Sequence, residues 1–299
     1  MGRIKRLLES LERVLSLSES VLGEMAPRVL GPGEYASHRA FRWQRGVSGG
    51  HLVAIPDPVA FDLDDLIGVE RSLEALERNT RQFLAGLPFN NVLLHGERGT
   101  GKSSAVRGLL TRYGNGGLKV VELDRSDLAQ LPRVLAALGG GASHRFLIFC
   151  DDLSFSPGEI GYRELKAALE GSLEARPDNV CLVATSNRRH LVPESMAENR
   201  AAGLDDEGEL QLGEALEEKL ALADRFGLII GFHSFNQSTY LAIVGHYLDR
   251  AGIEDFDSDL REAALKWALA RGSRSGRTAR QFVDDAVGRL GLATRASES

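Results

Sequence analysis

The chain has 299 residues, 43% of them hydrophobic and 26% charged, enough for one large or two modest domains of an ordinary soluble globular protein. No apolar run approaches the ~20 residues of a membrane span, and no signal-peptide apolar region opens the chain, so neither a membrane protein nor an exported one is expected. A formal net charge of −6 argues against a broad surface for nucleic-acid backbones. The two cysteines, Cys150 and Cys181, lie near the end of one strand-like run and the start of another. Parallel neighbours would hold them apart, and they read as reduced core residues of a cytoplasmic protein.

In chain order, Ile4, Leu7, Leu8, Leu11, Val14 and Leu15 recur at helical spacing and predict an amphipathic helix docked on the protein itself or on a neighbouring subunit. Pro27 to Pro58 turns rich in Gly and Pro and reads as an irregular arm, with Phe41-Arg42-Trp43 and Leu52-Val53-Ala54-Ile55 as its only extended pieces. Arg39, Arg42 and Arg45 with the two aromatics suit either stacking on nucleic acid or, the blander reading, an arm pinned to the body by Phe41 and Trp43. A helix is then expected through Leu73, Leu76 and Phe83.

The most informative stretch is Gly96-Glu97-Arg98-Gly99-Thr100-Gly101-Lys102-Ser103, followed by Ser104, which fits the phosphate-loop pattern G-x-x-x-x-G-K-[ST]. The glycines let backbone N–H groups turn toward phosphate oxygens, Lys102 reaches the β- and γ-phosphates, and the Ser103 hydroxyl can ligate Mg²⁺. An apolar strand (Asn91 to His95) precedes the pattern and a helix follows it, the order the motif requires. A second strand at Lys119 to Leu123 and a helix from Asp127 to Leu138 lead to Arg145-Phe146-Leu147-Ile148-Phe149-Cys150-Asp151-Asp152. In that strand end the first acid is expected to hold Mg²⁺ beside Ser103 and the second to orient or deprotonate an attacking water.

After a helix from Tyr162 to Leu173, a fourth strand at Asn179 to Ala184 ends in Thr185-Ser186-Asn187, where ligands of parallel sheets bind. Arg188, Arg189 and His190 form a basic loop, and the acidic segment Gly203 to Glu209 reads as mobile. A helix through Leu216, Leu220 and Leu222 ends at Asp224-Arg225-Phe226-Gly227 before a fifth strand, Leu228 to Ile230. Three helices at Tyr240 to Leu248, Leu260 to Ala270 and Thr278 to Leu290 read as a lid. The expected division is 1–60, helix and arm; 61–235, α/β nucleotide-binding domain; 236–292, helical lid; and 293–299, flexible tail.

From about Phe61 to Leu290 these pieces resemble the AAA+ ATPases. That resemblance implies a three-layer αβα sandwich with a five-stranded parallel sheet, a C-terminal helical lid, and ATP and Mg²⁺ as ligands. Leu66-Ile67-Gly68 looks like the segment packing on the adenine, Lys102 and Ser103 match the Walker A residues, Asp151 and Asp152 the Walker B pair, and Asn187 the sensor 1 residue. Arg225 looks like the arginine finger that enters a neighbour's site, which implies a homo-oligomeric ring, with a hexamer among the options. Ser275 to Phe282 resembles the sensor 2 region. There Arg280 is favoured by the apolar register of Val283, Ala286, Val287 and Leu290, and Arg277 is the runner-up. The strings around Asp151, Asn187 and Arg274-Ser275-Gly276-Arg277 are similar to a bacterial family of predicted AAA+ ATPases without an assigned substrate.

The sequence departs from the family at Asp152, where Glu is usual. A carboxylate one methylene shorter must hold water differently, which touches hydrolysis more than ATP binding. The segment Asp124-Arg125-Ser126 lacks the pore aromatic of protein-threading members; Phe155 and Tyr162 stand nearby, with core packing as their expected use. The leading expectation is an ATP-driven remodeller of an unidentified macromolecular client. The competing ones are a nucleic-acid-associated loader using the Arg42-containing arm, and an ATP-gated scaffold with very slow turnover.

Overall fold

In the computed structural model, the residues described are 32–46, 49–139, 144–155, 160–170, 177–187, 203–204, 210–211 and 224–297. The expected N-terminal helix, the basic loop at Arg188 to His190 and the helix through Leu216 to Leu222 lie outside them. Seven strands form one sheet: β1 (Ala40–Gly46), β2 (Gly49–Ile55), β3 (Val92–Gly96), β4 (Leu118–Glu122), β5 (Arg145–Cys150), β6 (Val180–Ser186) and β9 (Leu228–Phe232). The short strands β7 (Gly203–Leu204), which opens the acidic segment expected to be mobile, and β8 (Leu210–Gln211), just after that segment, pair separately. The spatial order is β2-β1-β4-β5-β6-β3-β9, parallel throughout except for the β1–β2 hairpin. Taken from the phosphate-loop strand onward, the five expected strands stand second, third, fourth, first, fifth. Their apolar runs are continuous because both faces are covered: all seven residues of β6 are buried.

One face packs against α2 (Glu70–Leu84) and α3 (Lys102–Tyr113), with Leu76, Phe83, Val106 and Leu109 meeting Leu94, Leu147 and Val183. The other packs against α4 (Leu131–Gly139) and α5 (Ile160–Glu170), through Val134, Leu138 and Leu165 on Leu93, Ile148 and Leu182, with Tyr35 of α1 (Pro32–Ser37) joining them. The three-layer αβα sandwich is therefore present. Cys150 and Cys181 are free and buried, and they belong to opposite faces. Phe155 and Tyr162 are core residues, packed edge to face at 5.7 Å.

The sheet is wider than the expected five strands because the stretch read as an irregular arm is a hairpin. Its β1 adds in parallel to β4, Ala40 opposite Val120. Alternation sends Phe41 and Trp43 into the core at 0% and 4% exposure, and Trp43 Nε1 donates to Gln130 at 2.7 Å. Arg42 pairs with Glu122 at 2.7 Å and Arg45 with Asp127. The break expected at residue 61 thus falls inside the α/β layer, and the arm's extended pieces are a sheet edge.

A third cluster forms the lid: α6 (Gln237–Arg250), α7 (Ser258–Ala270) and α8 (Gly276–Ser297) around Tyr240, Val244, Ala264, Phe282 and Val283. Asn236 and Asp257 cap α6 and α7 by accepting from Thr239 N and Leu260 N, both at 2.8 Å. Helix α8 runs on to Ser297, so most of the expected tail continues the helix. The lid is fastened to the residues before α2. Asp65 Oδ1 meets His246 Nε2 at 2.7 Å and Arg250 Nε at 2.9 Å, and Asp62 meets Arg250 at 3.0 Å.

Candidate nucleotide site

At the carboxyl end of β3 the chain turns sharply into α3. Gly96, Gly99 and Gly101 take φ of +143°, +78° and +103°. A Cβ on Gly96 would lie 1.9 Å from the Phe232 carbonyl oxygen, and one on Gly101 would lie 2.6 Å from Leu66 Cδ2. Only glycine meets both the backbone and the space requirements here. Gly101 caps α3 without a side-chain hydrogen bond. The first N–H groups of the helix, and the positive end of its dipole, are therefore presented toward the loop.

Lys102 is 6% exposed, and its Nζ donates to the carbonyls of Gly96 and Glu97, both at 2.7 Å, and to Asn187 Oδ1 at 3.3 Å. Burial lowers the pKa of its ammonium; Asp152 and Asp151 oppose that shift, and Arg277 and Arg98 add to it. Ser103 Oγ donates to Asp151 Oδ1 at 2.7 Å, and so does Thr185 Oγ1 at 2.6 Å. Thr185 also accepts the Asp152 N–H at 2.8 Å. Asp152 is the one non-glycine residue with a positive φ among the described residues, at +51°. Its carboxylate accepts from Asn187 Nδ2 and lies 3.7 Å from Arg98 Nη2. Backbone held in this sparsely populated region marks a position the surroundings over-determine.

These groups line a cavity of about 660 Å³ between the sheet edge and the lid. Arg98, Gly99, Thr100, Gly101, Lys102, Ser103, Ser104, Asp151, Asp152 and Asn187 border it on the sheet side. Leu66 and Ile67 border its apolar end, Leu66 packed with the α3 face and Ile67 with the lid. Gly96 and Glu97 contribute carbonyls to Lys102. Arg277 and Arg280 both border the cavity, in different ways. The Arg277 Cβ is 3.4 Å from where a Gly99 Cβ would stand, and Gly276 N donates to Gly99 O at 2.9 Å. Arg280 lies over Tyr247 at 5.2 Å and pairs with Asp284 at 3.2 Å. Arg225 does not border the cavity; it is half-buried in the turn before β9, where Gly227 has φ +69°.

Sequence reasoning placed Thr185 in the polar strand end without giving it a role, and missed Phe61, Phe235, Ile243 and Tyr247. Thr185 carried a signal, a hydroxyl ending an apolar strand beside the site. The four apolar residues carried none beyond ordinary core spacing. Among the described residues no group of three or more His, Cys, Asp or Glu could hold a metal. The oxygens of Ser103 and Asp151, with Thr185 holding that carboxylate, nevertheless fit Mg²⁺, which prefers few protein oxygens completed by phosphate and water.

No curated protein matches the chain by sequence. Among solved structures, the chain is similar to the Thermotoga maritima RuvB Holliday junction branch migration motor, at 14% identity and a TM-score of 0.42, over 75% of this chain and 71% of that one. It is also similar to the Aeropyrum pernix Orc1 protein in complex with DNA, at 19% identity and a TM-score of 0.49, over 77% of this chain and 61% of that one. A family model described as "Protein of unknown function (DUF815)" matches residues 36–290, from the hairpin through most of α8. The strand order, the phosphate loop after the first of the five core strands and the acid pair after the third make a P-loop α/β fold that resembles the AAA+ ATPases, and the chain belongs to the DUF815 family.

Proposed function

We propose that the chain binds ATP with Mg²⁺ between sheet edge and lid and hydrolyses it at contacts between copies in a homo-oligomeric ring, to remodel a macromolecular client. The observation that carries this reading is the convergence of Lys102, Ser103, Asp151, Asp152 and Asn187 on one cavity from the ends of three adjacent parallel strands. Such a crevice is where open α/β sheets bind ligands.

The N-terminal end of α3 and the loop amides hold the phosphates, and Lys102 places its charge on their terminal oxygens. Ser103 and Asp151 hold Mg²⁺, with Thr185 fixing the Asp151 carboxylate. When bound, the metal neutralises developing charge on the β- and γ-oxygens. Asp152 accepts a hydrogen bond or a proton from water on the far side of the γ-phosphate, and Asn187 orients that carboxylate. Leu66, Ile67 and Tyr247 enclose the base. Arg277 lies beside the loop and suits a phosphate contact, whereas Arg280, on Tyr247, suits the base end. Arg225 from a neighbouring copy supplies transition-state charge. The hairpin arginines Arg42 and Arg45 are engaged by Glu122 and Asp127, which leaves the loader reading without a free basic surface from that pair.

The test is ATP turnover with and without Mg²⁺, in wild type and Lys102→Ala. Mg²⁺-dependent phosphate release lost in the variant is expected. Equal release by both proteins would refute the reading.

A further inference from the structure

The phosphate-loop pattern leaves the residue at Arg98 open, yet this side chain has a defined partner. Arg98 Nη2 lies 3.7 Å from Asp152 Oδ2, while Asp152 Oδ1 accepts from Asn187. Asn187 Oδ1 in turn accepts from Lys102 Nζ at 3.3 Å. Asn187 therefore links Asp152 to Lys102 by hydrogen bonds, and Arg98 joins the other end as an ion pair across the mouth of the cavity. Asp152 stands at φ +51° after β5 and Gly99 at φ +78° in the loop after β3, so the two charged side chains meet from separate strand ends.

The pair is open to water, with the Arg98 side chain 75% exposed and that of Asp152 58% exposed. An ion pair so exposed is weak and easily displaced. A terminal phosphate carries more charge than a carboxylate and presents oxygens suited to a guanidinium fork. Arg98, Lys102 and Arg277 all border this cavity, so three cations surround the place where such a phosphate would lie.

We propose that Arg98 reads the terminal phosphate: it pairs with Asp152 in the nucleotide-free site and exchanges that carboxylate for the terminal phosphate of a bound nucleoside triphosphate, freeing Asp152 to face water. This rests on the ATP reading above and adds a selectivity to it. A diphosphate offers no oxygen at that place and leaves the Arg98–Asp152 pair intact. The exchange also joins recognition to chemistry, because the carboxylate assigned to water is released only when the phosphate to be attacked is present.

The test measures Mg²⁺-dependent affinities for ATPγS and ADP in wild type, Arg98→Ala, Arg98→Lys, Asp152→Asn and the Arg98→Ala/Asp152→Asn double variant. Arg98→Ala should weaken ATPγS binding about 10-fold, the size of a charge-assisted hydrogen bond, and leave ADP within about 2-fold. Arg98→Lys should recover part of the loss. Asp152→Asn should strengthen ATPγS binding by up to about 5-fold when Arg98 is present, and not when it is Ala. Equal changes for ATPγS and ADP, or an Asp152→Asn effect that ignores the Arg98 background, would overturn the exchange while leaving nucleotide binding in place. Wild-type protein that binds neither nucleotide would remove the site itself and the exchange with it. The affinities need no turnover, so slow hydrolysis does not obscure the result.

Discussion

Ser103 Oγ and Asp151 Oδ1 are 2.7 Å apart, although one opens α3 and the other follows β5. The two groups assigned to Mg²⁺ are held by separate elements and share one hydrogen bond, tightened by Thr185 on the same carboxylate oxygen. Asp151→Asn should therefore weaken Mg²⁺-dependent nucleotide binding and turnover together. Asp152→Asn should not weaken nucleotide affinity, and should lose turnover by about 100-fold or more for a lost general base. Titrations of both variants with and without Mg²⁺ check this, and equal losses of affinity would show the roles to be wrongly divided.

Lys102→Ala should lose ATP affinity by at least about 10-fold, the worth of a charged hydrogen bond to phosphate. Its fold should survive, because among the described residues Nζ bonds to the loop carbonyls and Asn187 and joins none of the apolar clusters. Circular dichroism and nucleotide titration together decide it; unchanged affinity would sink the site.

Gly96→Ala should damage the fold as well as the site. A methyl group 1.9 Å from the Phe232 carbonyl oxygen cannot be accommodated by a side-chain shift, and φ of +143° is strained for alanine. The expected loss is about 2–4 kcal/mol, seen as a fall in melting temperature of roughly 5–10 °C. A melting temperature equal to wild type would contradict the packing of β3 on β9.

Arg225→Ala should abolish any rise of specific activity with protein concentration and leave ATP affinity nearly unchanged, because a finger acting in trans works only in the assembly. Mixing it with Lys102→Ala should restore ATPase, since a mixed assembly can place an intact Lys102 site beside an intact Arg225. Mixed oligomers without recovered activity would leave Arg225 as a helix-end residue.

Both cysteines should be silent in the native protein. The Cys150 thiol has its pKa pushed up to about 12, by burial first and then by Asp124 and Asp151, and remains neutral at ordinary pH. Cys181 is 3% exposed. A thiol reagent should therefore titrate neither until denaturant is added, when two groups react. Fast labelling of the native protein would contradict their burial.

The phosphate loop, the acid pair and Asn187 were legible because each is written in a few consecutive residues at the end of an apolar run. The hairpin was not. Its β1 pairs with β4 at long range, Ala40 opposite Val120, and Gly46, Gly49 and Gly50 read locally as loop although they carry ladder pairs. The lid clamp was equally hidden, because Asp65 and His246 lie 181 residues apart and neither stands in a pattern. The parallel core was readable from continuous apolar runs, but no strand carries in its own sequence the lateral order of the sheet.

The placement of β3 has a consequence for how the protein is made. Its two neighbours in the sheet, β6 and β9, both come from the second half of the chain. The phosphate loop leaves the ribosome early but acquires its walls late, since the Gly96 turn closes only against Phe232. Pairings of such long separation are slow to form. A nascent chain released before Phe232 should carry the whole glycine-rich motif and still fail to retain nucleotide. On the proposed ATP reading, nucleotide retention would report that synthesis has passed β9, and a nucleotide that binds only the finished sheet would pull late folding forward by mass action.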